Sequence, residues 1–249
     1  SSKILLWLII RMFKIKKIQT VKFLSKNAAI LFVFISLMSC SKDPVVTPVS
    51  VYCSIISEKL LAFSRLSNFE KQKFQELSDT RLQKYKNDFI EAAETFDLEW
   101  ELLAAVAFQE SQWNPKARSA TQVKGMMMLT LPTAASVGVT NRLDPIQSIY
   151  GGAQYLSELR QMVEYGASSG DKTAFVLAAY NLGMTNVKNA VDQINGNPSK
   201  VTWLDLEEHL IQLKSSMDTE SYSRGQQTVD FVERVRDYYY LLLSQNCSN

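Results

Sequence analysis

Glu110 is the carboxylate whose place in the sequence most clearly predicts chemistry. It follows the apolar run 102–108 and shares one helical face with Leu102 and Val106, at spacings of four residues. Apolar surroundings and the negative end of a helix dipole both disfavour a charged carboxylate, so the pKa of Glu110 is predicted to be raised. A carboxylic acid that stays protonated near neutral pH is suited to general acid catalysis. The alternative is a glutamate at a helix end whose side chain turns to solvent.

The other chemically active residue types exclude several classes of site. The chain has one histidine, His209, which makes a Ser-His-Asp triad or a multi-histidine metal site hard to build. Its three cysteines show no CxxC spacing, which argues against a zinc finger. No metal-ligand cluster and no phosphate-binding glycine loop is found, so no metal and no cofactor is expected. His209 itself, beside two glutamates, is expected on the surface of a late helix.

The elements that must position Glu110 are predicted to be helices throughout. From Tyr52 onward apolar residues recur at spacings of three and four, and no convincing alternation typical of a strand is present. The first predicted helix starts from a cap at Asp79 and continues past Phe96, and another starts at Asp144-Pro145 with Ile146 facing the core. The other predicted helices cover 98–112, Pro132 to near Gly138, 173–181, 187–194 and 228–243. The fold class is therefore predicted to be all-α, with seven or more helices.

Three motifs occur in a fixed order along these helices. They are Glu110-Ser111, Gly125-Met126-Met127-Met128, and Ala179-Tyr180-Asn181 with Gly183 two residues later. This ordered set resembles the catalytic domain of the lytic transglycosylases, in the superfamily of the soluble lytic transglycosylases and goose-type lysozymes. Within the family it is most similar to the F-type, membrane-bound enzymes. The resemblance covers roughly residues 79–243 and implies a lysozyme-like, multi-helix domain.

The resemblance also implies a role for each matching residue. Glu110 matches the single catalytic acid/base, and Ser111 matches a residue that holds local structure beside it. Ser119 matches a serine near the substrate's N-acetyl group, and Tyr180 matches a tyrosine that positions the glutamate and the sugar. The remaining matches are Asn181, which is expected to fix its loop, and Met126 and Met127, which resemble residues lining the groove although three methionines in a row are also typical core filler.

Two positions depart from the family pattern. Met128 stands where many members have glutamine, so one polar contact to the sugar is absent, as in the F-type enzymes. Gln122 stands where a glycine is usual before the Gly-Leu-Met motif, which puts the turn there in doubt.

The reaction implied by the resemblance is cleavage of peptidoglycan without water. Glu110 would protonate the β-1,4 glycosidic oxygen between N-acetylmuramic acid and N-acetylglucosamine, then deprotonate the muramoyl C6 hydroxyl, giving a 1,6-anhydro end. One alternative is a goose-type muramidase, a hydrolase that uses a second acid such as Asp144 or Asp171. Another is a glycan-binding lipoprotein without activity. The expected partner is the peptidoglycan glycan strand, and the sequence specifies no protein partner.

The charge of the chain is split between a basic front end and a mildly acidic remainder. Seven of the 27 Lys and Arg residues, and none of the 25 acids, fall within the first 40 residues, so the net charge of +2 becomes −5 over the rest. An acidic folded part argues against a nucleic-acid binder. Lysines followed by the apolar run 28–37 predict a secretory signal peptide over residues 1–39, with residues 1–11 upstream of the true start at Met12.

The end of this signal, Leu37-Met38-Ser39-Cys40, resembles the lipobox of bacterial lipoproteins, which implies lipidation of Cys40 and a membrane anchor. The predicted organisation is then a lipidated tether over 40–51, a helical extension over 52–78 and a catalytic domain over 79–249. A lipoprotein of the cell envelope facing the periplasm is expected, with Ser41 favouring the outer membrane. In an oxidising envelope Cys53 and Cys247 either pair or remain free thiols.

Overall fold

The computed structural model describes residues 48–120, 122–194, 196–212 and 219–247. The predicted signal peptide, Cys40 and most of the tether lie outside these residues. The α-helices are α1 (Pro48–Ser54), α2 (Asn68–Thr80), α3 (Lys86–Thr95), α4 (Trp100–Ser111), α5 (Leu131–Ser136), α6 (Pro145–Met162), α7 (Ser169–Leu182), α8 (Met184–Gln193), α9 (Trp203–Gln212) and α10 (Thr219–Gln245). A π-helical segment (Ile55–Leu60) and short 3-10 helices (Leu61–Phe63, Leu82–Lys84 and Pro198–Lys200) connect them. The predicted all-α class is confirmed, since the described residues contain isolated β-bridges but no strand.

The centre of the fold is α4, the helix that carries Glu110. Residues 103–108 of this helix are buried on every side, because α10 and α3 pack against it and α6 contacts it as well. Helix α10 also packs along α7 and α9, and α6 packs along α3 and α7. The glutamate therefore stands at the end of a helix whose position is fixed by packing on several sides.

Two of the predicted helix starts are confirmed and one is wrong. The Thr130 side chain caps α5, and the Asp144 carboxylate caps α6 by accepting from the Gln147 N–H at 2.8 Å. Asp79, in contrast, caps nothing: it lies near the end of α2, where its carboxylate accepts from the Gln75 amide. The helix α2 instead starts from a capping box between Ser67 and Glu70.

The helix α6 presents its apolar face differently from the prediction at one residue. Ile149, Ala153, Leu156 and Leu159 are buried as predicted. Ile146 is exposed, because it lies in the first turn of α6, before the helix enters the core.

The extension before the predicted catalytic domain packs against the far end of the chain. The Asp237 carboxylate of α10, fully buried, accepts from the Ser64 hydroxyl at 3.0 Å and the Arg65 N–H at 2.8 Å. A disulfide joins Cys53 to Cys247 across 194 positions of sequence. The boundary predicted between residues 78 and 79 falls inside α2, so the extension and the following helices share one packed core. Within the described ranges, no helix is both long and apolar enough to cross a membrane.

Candidate active site

Helix α4 ends directly after Glu110 in a turn that the surrounding residues hold in place. Gln112 and Trp113 both have positive φ, 52° and 56°, a conformation that costs most residues about 1–2 kcal/mol. Trp113 is fully buried against Phe74 and Phe108, and its indole N–H donates to the Ala104 carbonyl at 2.8 Å. The buried indole thus fastens the turn back onto the helix. Trp113 is therefore a packing residue.

The Glu110 carboxyl occupies a half-buried position at this helix end. Among the described residues it has no hydrogen-bond or ion-pair partner, so nothing compensates the charged form for its loss of water. Burial consequently raises the pKa of Glu110 to about 8. The side chain remains partly open to solvent and hence to a substrate. This is the environment predicted from the apolar run, and burial is its physical cause.

Tyr180, on the last turn of α7, lies beside Glu110. Burial raises the pKa of its phenol well above the usual range, and the negative charge of Glu110 adds to the effect. Its hydroxyl donates to the Met127 carbonyl at 2.7 Å, and its ring packs between Tyr155 and Phe231. Helix α7 thus fixes a neutral phenol next to a carboxyl group that is protonated at neutral pH.

The segment 118–129 is held against the site by its backbone. The Ser111 hydroxyl donates to the Met126 carbonyl at 2.7 Å, Tyr180 donates to the next carbonyl, and the Met127 N–H donates to the Ser148 hydroxyl at 3.1 Å. Helices α4, α7 and α6 each contribute one of these contacts. Ser111 therefore holds the loop to the catalytic helix, which is the structural role predicted for it.

The side chains of Met126 and Met127 do not line a groove, which corrects the prediction made for them. Both are fully buried in the core, and only their backbone groups take part in the contacts around Glu110 and Tyr180. Met128 is the methionine that faces the open space, because its positive φ of 47° turns its side chain away from the core. The reading of the triple methionine as core filler is therefore correct for two of the three.

The turn that Gln122 put in doubt is formed. Gln122 adopts φ 68°, the conformation for which glycine is usual, and its carbonyl accepts from the Arg142 guanidinium at 2.8 Å. The same guanidinium nitrogen donates to the Leu129 carbonyl at 2.8 Å, which joins the two ends of the loop. Ser119 lies in this loop, half-buried, with its N–H donating to the Val123 carbonyl.

Gly125 is expected to be the least replaceable residue of the loop. It has φ +88°, and a Cβ atom there would stand 1.8 Å from the Arg142 carbonyl oxygen. The variant Gly125→Ala should lose at least about 2 kcal/mol of unfolding free energy, from left-handed strain plus a backbone clash. Gly138→Ala is the matched control, since its φ is +71° but no atom lies within 4 Å. Urea titrations of both variants measure the difference, and equal losses would contradict the clash.

Two adjoining cavities open beside Tyr180. The first, about 240 Å³, lies between the end of the loop, helix α6 and the end of α7; its lining includes Met128, Thr130, Thr133, Tyr155, Tyr180 and Asn181. The second, about 190 Å³, is lined by Asn181, Leu182, Arg224, Gln227 and Thr228. Asn181 and Leu182 line both cavities, which therefore adjoin; the two together are called the depression below. No aspartate or glutamate is among the described residues that line it.

Asn181 connects the end of α7 to the last helix. Its side-chain oxygen accepts from the Thr228 hydroxyl at 2.9 Å, and Thr228 is fully buried. This contact holds the residues that follow Tyr180 against α10. The exposed surface of Asn181 also lines both cavities, so the same side chain contacts α10 and forms part of the wall of the depression.

The two acids named above as candidates for the second acid of a muramidase both form hydrogen bonds at the starts of helices. Asp144 caps α6, as described above. Asp171 lies in the first turn of α7, where one carboxylate oxygen accepts from the Trp203 N–H at 2.8 Å and the other from the Ser168 hydroxyl at 2.5 Å. It precedes Tyr180 by nine residues on the same helix, roughly 14 Å along the axis. The two carboxyl groups of a glycosidase are about 5–10 Å apart.

Sequence reasoning missed the residues that shape the depression. Tyr155, Thr130 and Thr133 line it but belong to none of the three motifs. Tyr155 directly precedes the buried Leu156 on α6, so an aromatic residue bordering the apolar face was the available signal. Burial, with Glu158 one turn further on, raises the pKa of its phenol. Across the described residues, no group of acids, histidines and cysteines is arranged to hold a metal ion.

Comparisons with known proteins agree with the three motifs. Residues 87–202 match the family model described as the transglycosylase SLT domain. The membrane-bound lytic murein transglycosylase F of Shewanella loihica is 41% identical over 196 residues, which cover 76% of this chain and 40% of that protein. The protein of the same name from Stutzerimonas stutzeri is 43% identical over 169 residues, covering 65% of this chain and 34% of its own length.

A solved structure of an inactive mutant of the lytic transglycosylase Slt from Pseudomonas aeruginosa also matches, at a TM-score of 0.49 and 19% identity over 68% of this chain and 25% of that one. The chain spans about two fifths or less of the length of the curated relatives described above. Glu110, Ser119 and Tyr180 all lie inside the region that matches the family model, and over this region the chain is similar to the lytic transglycosylases.

Proposed function

We propose that the protein is a peptidoglycan lytic transglycosylase. It cleaves the β-1,4 bond between N-acetylmuramic acid and N-acetylglucosamine without water and leaves a 1,6-anhydro-muramoyl end. The observation that supports this most strongly is a single carboxyl group, Glu110, with a pKa of about 8, beside Tyr180. Tyr180 also lines the depression, and none of the described residues that line the depression carries a carboxylate. One group that is protonated at neutral pH fits a reaction that needs an acid first and a base second.

The first step uses Glu110 as the acid. Its proton goes to the glycosidic oxygen, the bond from this oxygen to the muramoyl C1 breaks, and positive charge develops at that sugar. The substrate's own N-acetyl group stabilises this charge, near Ser119, which is proposed to contact it. Tyr180 orients the glutamate and the sugar, because its hydroxyl is fixed on the Met127 carbonyl.

The second step uses the same carboxylate as the base. Glu110, now charged in a half-buried position that disfavours charge, takes the proton of the muramoyl C6 hydroxyl. The C6 oxygen then bonds to C1 and closes the anhydro ring, which restores the protonated glutamate. The two steps balance with no water and no second acid. Asn181 and Met128 are proposed to contact the glycan in the depression, whereas Ser111, Met126 and Met127 support the site through the backbone contacts of the loop.

Product chemistry distinguishes this reaction from that of a muramidase. Purified peptidoglycan is digested with the protein, and a second sample with a goose-type lysozyme for reference; both are treated with borohydride and examined by mass spectrometry. An anhydro end is one water lighter than a hydrolysed end and has no hemiacetal to reduce. We expect only lighter, unreduced muramoyl ends. Reducible ends like those of the reference would identify a hydrolase, and no soluble product would favour a glycan-binding protein.

The pH dependence of the reaction should report the protonation of Glu110. A raised pKa means that the carboxyl is protonated below about pH 8 and loses its proton above it. We therefore expect kcat/KM to fall tenfold for each pH unit above about 8. Tyr180 does not add to this fall, since the pKa of its phenol lies far higher. Initial rates from pH 3 to 10 measure the profile, and activity that instead falls as pH rises through 4–5 would contradict an acid of raised pKa.

We further propose that the protein is a lipoprotein of the cell envelope that faces the periplasm, anchored in the outer membrane through lipidated Cys40. The basic and apolar front end, the lipobox-like residues and the membrane-bound relatives support this location. Peptidoglycan is rich in carboxylates, so a folded part of net charge −5 gains nothing from bulk attraction, and a lipid anchor supplies proximity instead. The variant Cys40→Ser should move to the soluble fraction after cell lysis; unchanged membrane association would contradict the anchor.

A further inference from the structure

The second cavity contains a cation that the proposed reaction does not use. Arg224, on α10, is the only charged side chain among the described residues that line the two cavities. Its own side chain is exposed at the rim. A cation at the rim of a cavity beside the end of α7 has its strongest effect on a ligand that carries the opposite charge there.

A buried threonine lies between the backbone at Arg224 and the end of α7. The Thr228 hydroxyl, one helical turn later, lies 2.9 Å from the Arg224 carbonyl and 2.9 Å from the Asn181 side-chain oxygen. Asn181 directly follows Tyr180, which stands beside Glu110. The backbone at Arg224 thus lies close to the residue that follows Tyr180, through one buried threonine.

The substrate presents anionic groups close to this place. Every muramoyl residue carries a lactyl group, which ends in a free carboxylate on strands without peptides and continues into a carboxylate-bearing peptide on the others. A guanidinium binds a carboxylate through two parallel hydrogen bonds, which a lysine cannot reproduce. An amide or hydroxyl at the rim would be sufficient for a neutral sugar.

We propose that Arg224 binds a carboxylate on the lactyl side of a muramoyl residue and thereby selects how the strand lies across Glu110. The inference rests on the proposed function, since it takes peptidoglycan as the substrate. Arg224 touches substrate but supplies no proton to the reaction. Its replacement should therefore act mainly on KM and on binding, with little change in kcat.

The test compares Arg224→Gln with Arg224→Lys and wild type on three substrates. These are strands with their peptides, the same strands with peptide carboxylates converted to amides, and strands freed of peptides by an amidase. Arg224→Gln should lower kcat/KM about three- to tenfold on carboxylate-bearing strands, as for a partly exposed ion pair. Arg224→Lys should recover part of the loss. Lys188→Gln, which removes an exposed cation of α8 outside both cavities, is the control and should match wild type.

The substrates distinguish the source of the carboxylate. A loss that vanishes on amidated strands identifies a carboxylate as the ligand. If the loss is present on peptide-free strands, the lactyl carboxylate is bound there; if it is absent, the ligand is a peptide carboxylate alone. The same loss on amidated and unmodified peptide-bearing strands, or no loss on any substrate, would overturn the proposal. Thermal melts of each variant show whether the fold is intact.

A binding measurement tests the carboxylate site independently of the proposed reaction. The strands are titrated into Glu110→Gln and into Glu110→Gln combined with Arg224→Gln, neither of which is expected to cleave them. A three- to tenfold higher Kd for the combined variant supports the carboxylate site even if wild type makes no anhydro product. An equal Kd contradicts the site even if the proposed reaction is correct.

Discussion

Glu110→Gln is expected to abolish the production of anhydro-muramoyl ends while making the protein more stable. The amide keeps the size of the carboxyl but cannot donate an acidic proton or accept one. General acid–base groups contribute about 10²–10⁴ in rate, and here one group serves both steps, so a loss of about a thousandfold or more is expected. Initial rates of release of anhydro-muropeptides measure it. Glu101→Gln, on the same helix but at its other end, is the matched control and should keep wild-type activity.

The gain in stability has a definite pH dependence. The pKa of Glu110 is raised from 4.5 to about 8, so the folded protein disfavours the charged form. Below about pH 4.5 the group is neutral in both states and the substitution changes little. As pH rises toward 8 the unfolded chain ionises first, and wild type loses stability that the variant retains. After allowance for partial exposure the gain should be on the order of 2 kcal/mol at pH 8.

Urea titrations at pH 4 and pH 8 measure this gain. If the inactive variant is as stable as wild type at pH 4 and also at pH 8, burial does not disfavour the charged form of Glu110. A variant that remains active would mean that another residue supplies the proton. Because the two readouts are independent, misfolding cannot imitate the expected pair of results.

Removal of the disulfide is expected to have the largest effect on stability. The bond between Cys53 and Cys247 closes a loop across 194 positions of sequence, and cross-links of long loops contribute about 2–5 kcal/mol. The double variant Cys53→Ser/Cys247→Ser should lose about this amount in urea titrations. Reduced wild type should match the double variant, and dithiothreitol should not change the double variant further. An equal midpoint for oxidised and reduced wild type would contradict a stabilising role.

Activity is expected to survive this loss under mild conditions. The bond lies at the junction of α1 and the end of α10, whereas Glu110 is held through Trp113, Ser111 and the packing of α4. The double variant should therefore keep its rate at low temperature and lose activity on heating before wild type does. Inactivation at low temperature would instead connect the extension directly to catalysis.

The sequence predicted Glu110 and the all-helical fold well, because both depend on local patterns. Spacings of three and four residues identify helices, and the apolar run before Glu110 already implies a buried helix and a raised pKa. The cap at Asp144 and the helix start at Pro132 are local in the same sense. The prediction that Asp79 caps the start of a helix was wrong because Asp79 lies near the end of α2. The spacing of apolar residues alone does not distinguish the start of one helix from the end of another.

The loop and the depression were beyond such reasoning. Whether Met126, Met127 or Met128 faces the open space depends on a positive φ at Met128 and on contacts from three helices far apart in sequence. The Met127 carbonyl that accepts from the Tyr180 hydroxyl is 53 positions away in sequence. The second cavity is lined by residues of α7 and α10. Composition and periodicity do not predict such contacts between residues far apart in sequence, because these contacts form only in the folded chain.

Digestion in heavy-oxygen water tests the single-carboxylate reaction most directly. Purified peptidoglycan is digested by wild type in water enriched in the heavy isotope, and the released muramoyl ends are weighed by mass spectrometry. If Glu110 acts as acid and then as base on the muramoyl C6 hydroxyl, the ends are anhydro sugars that contain no heavy oxygen. Heavy oxygen at C1 would mean that water is the nucleophile and would contradict the central claim.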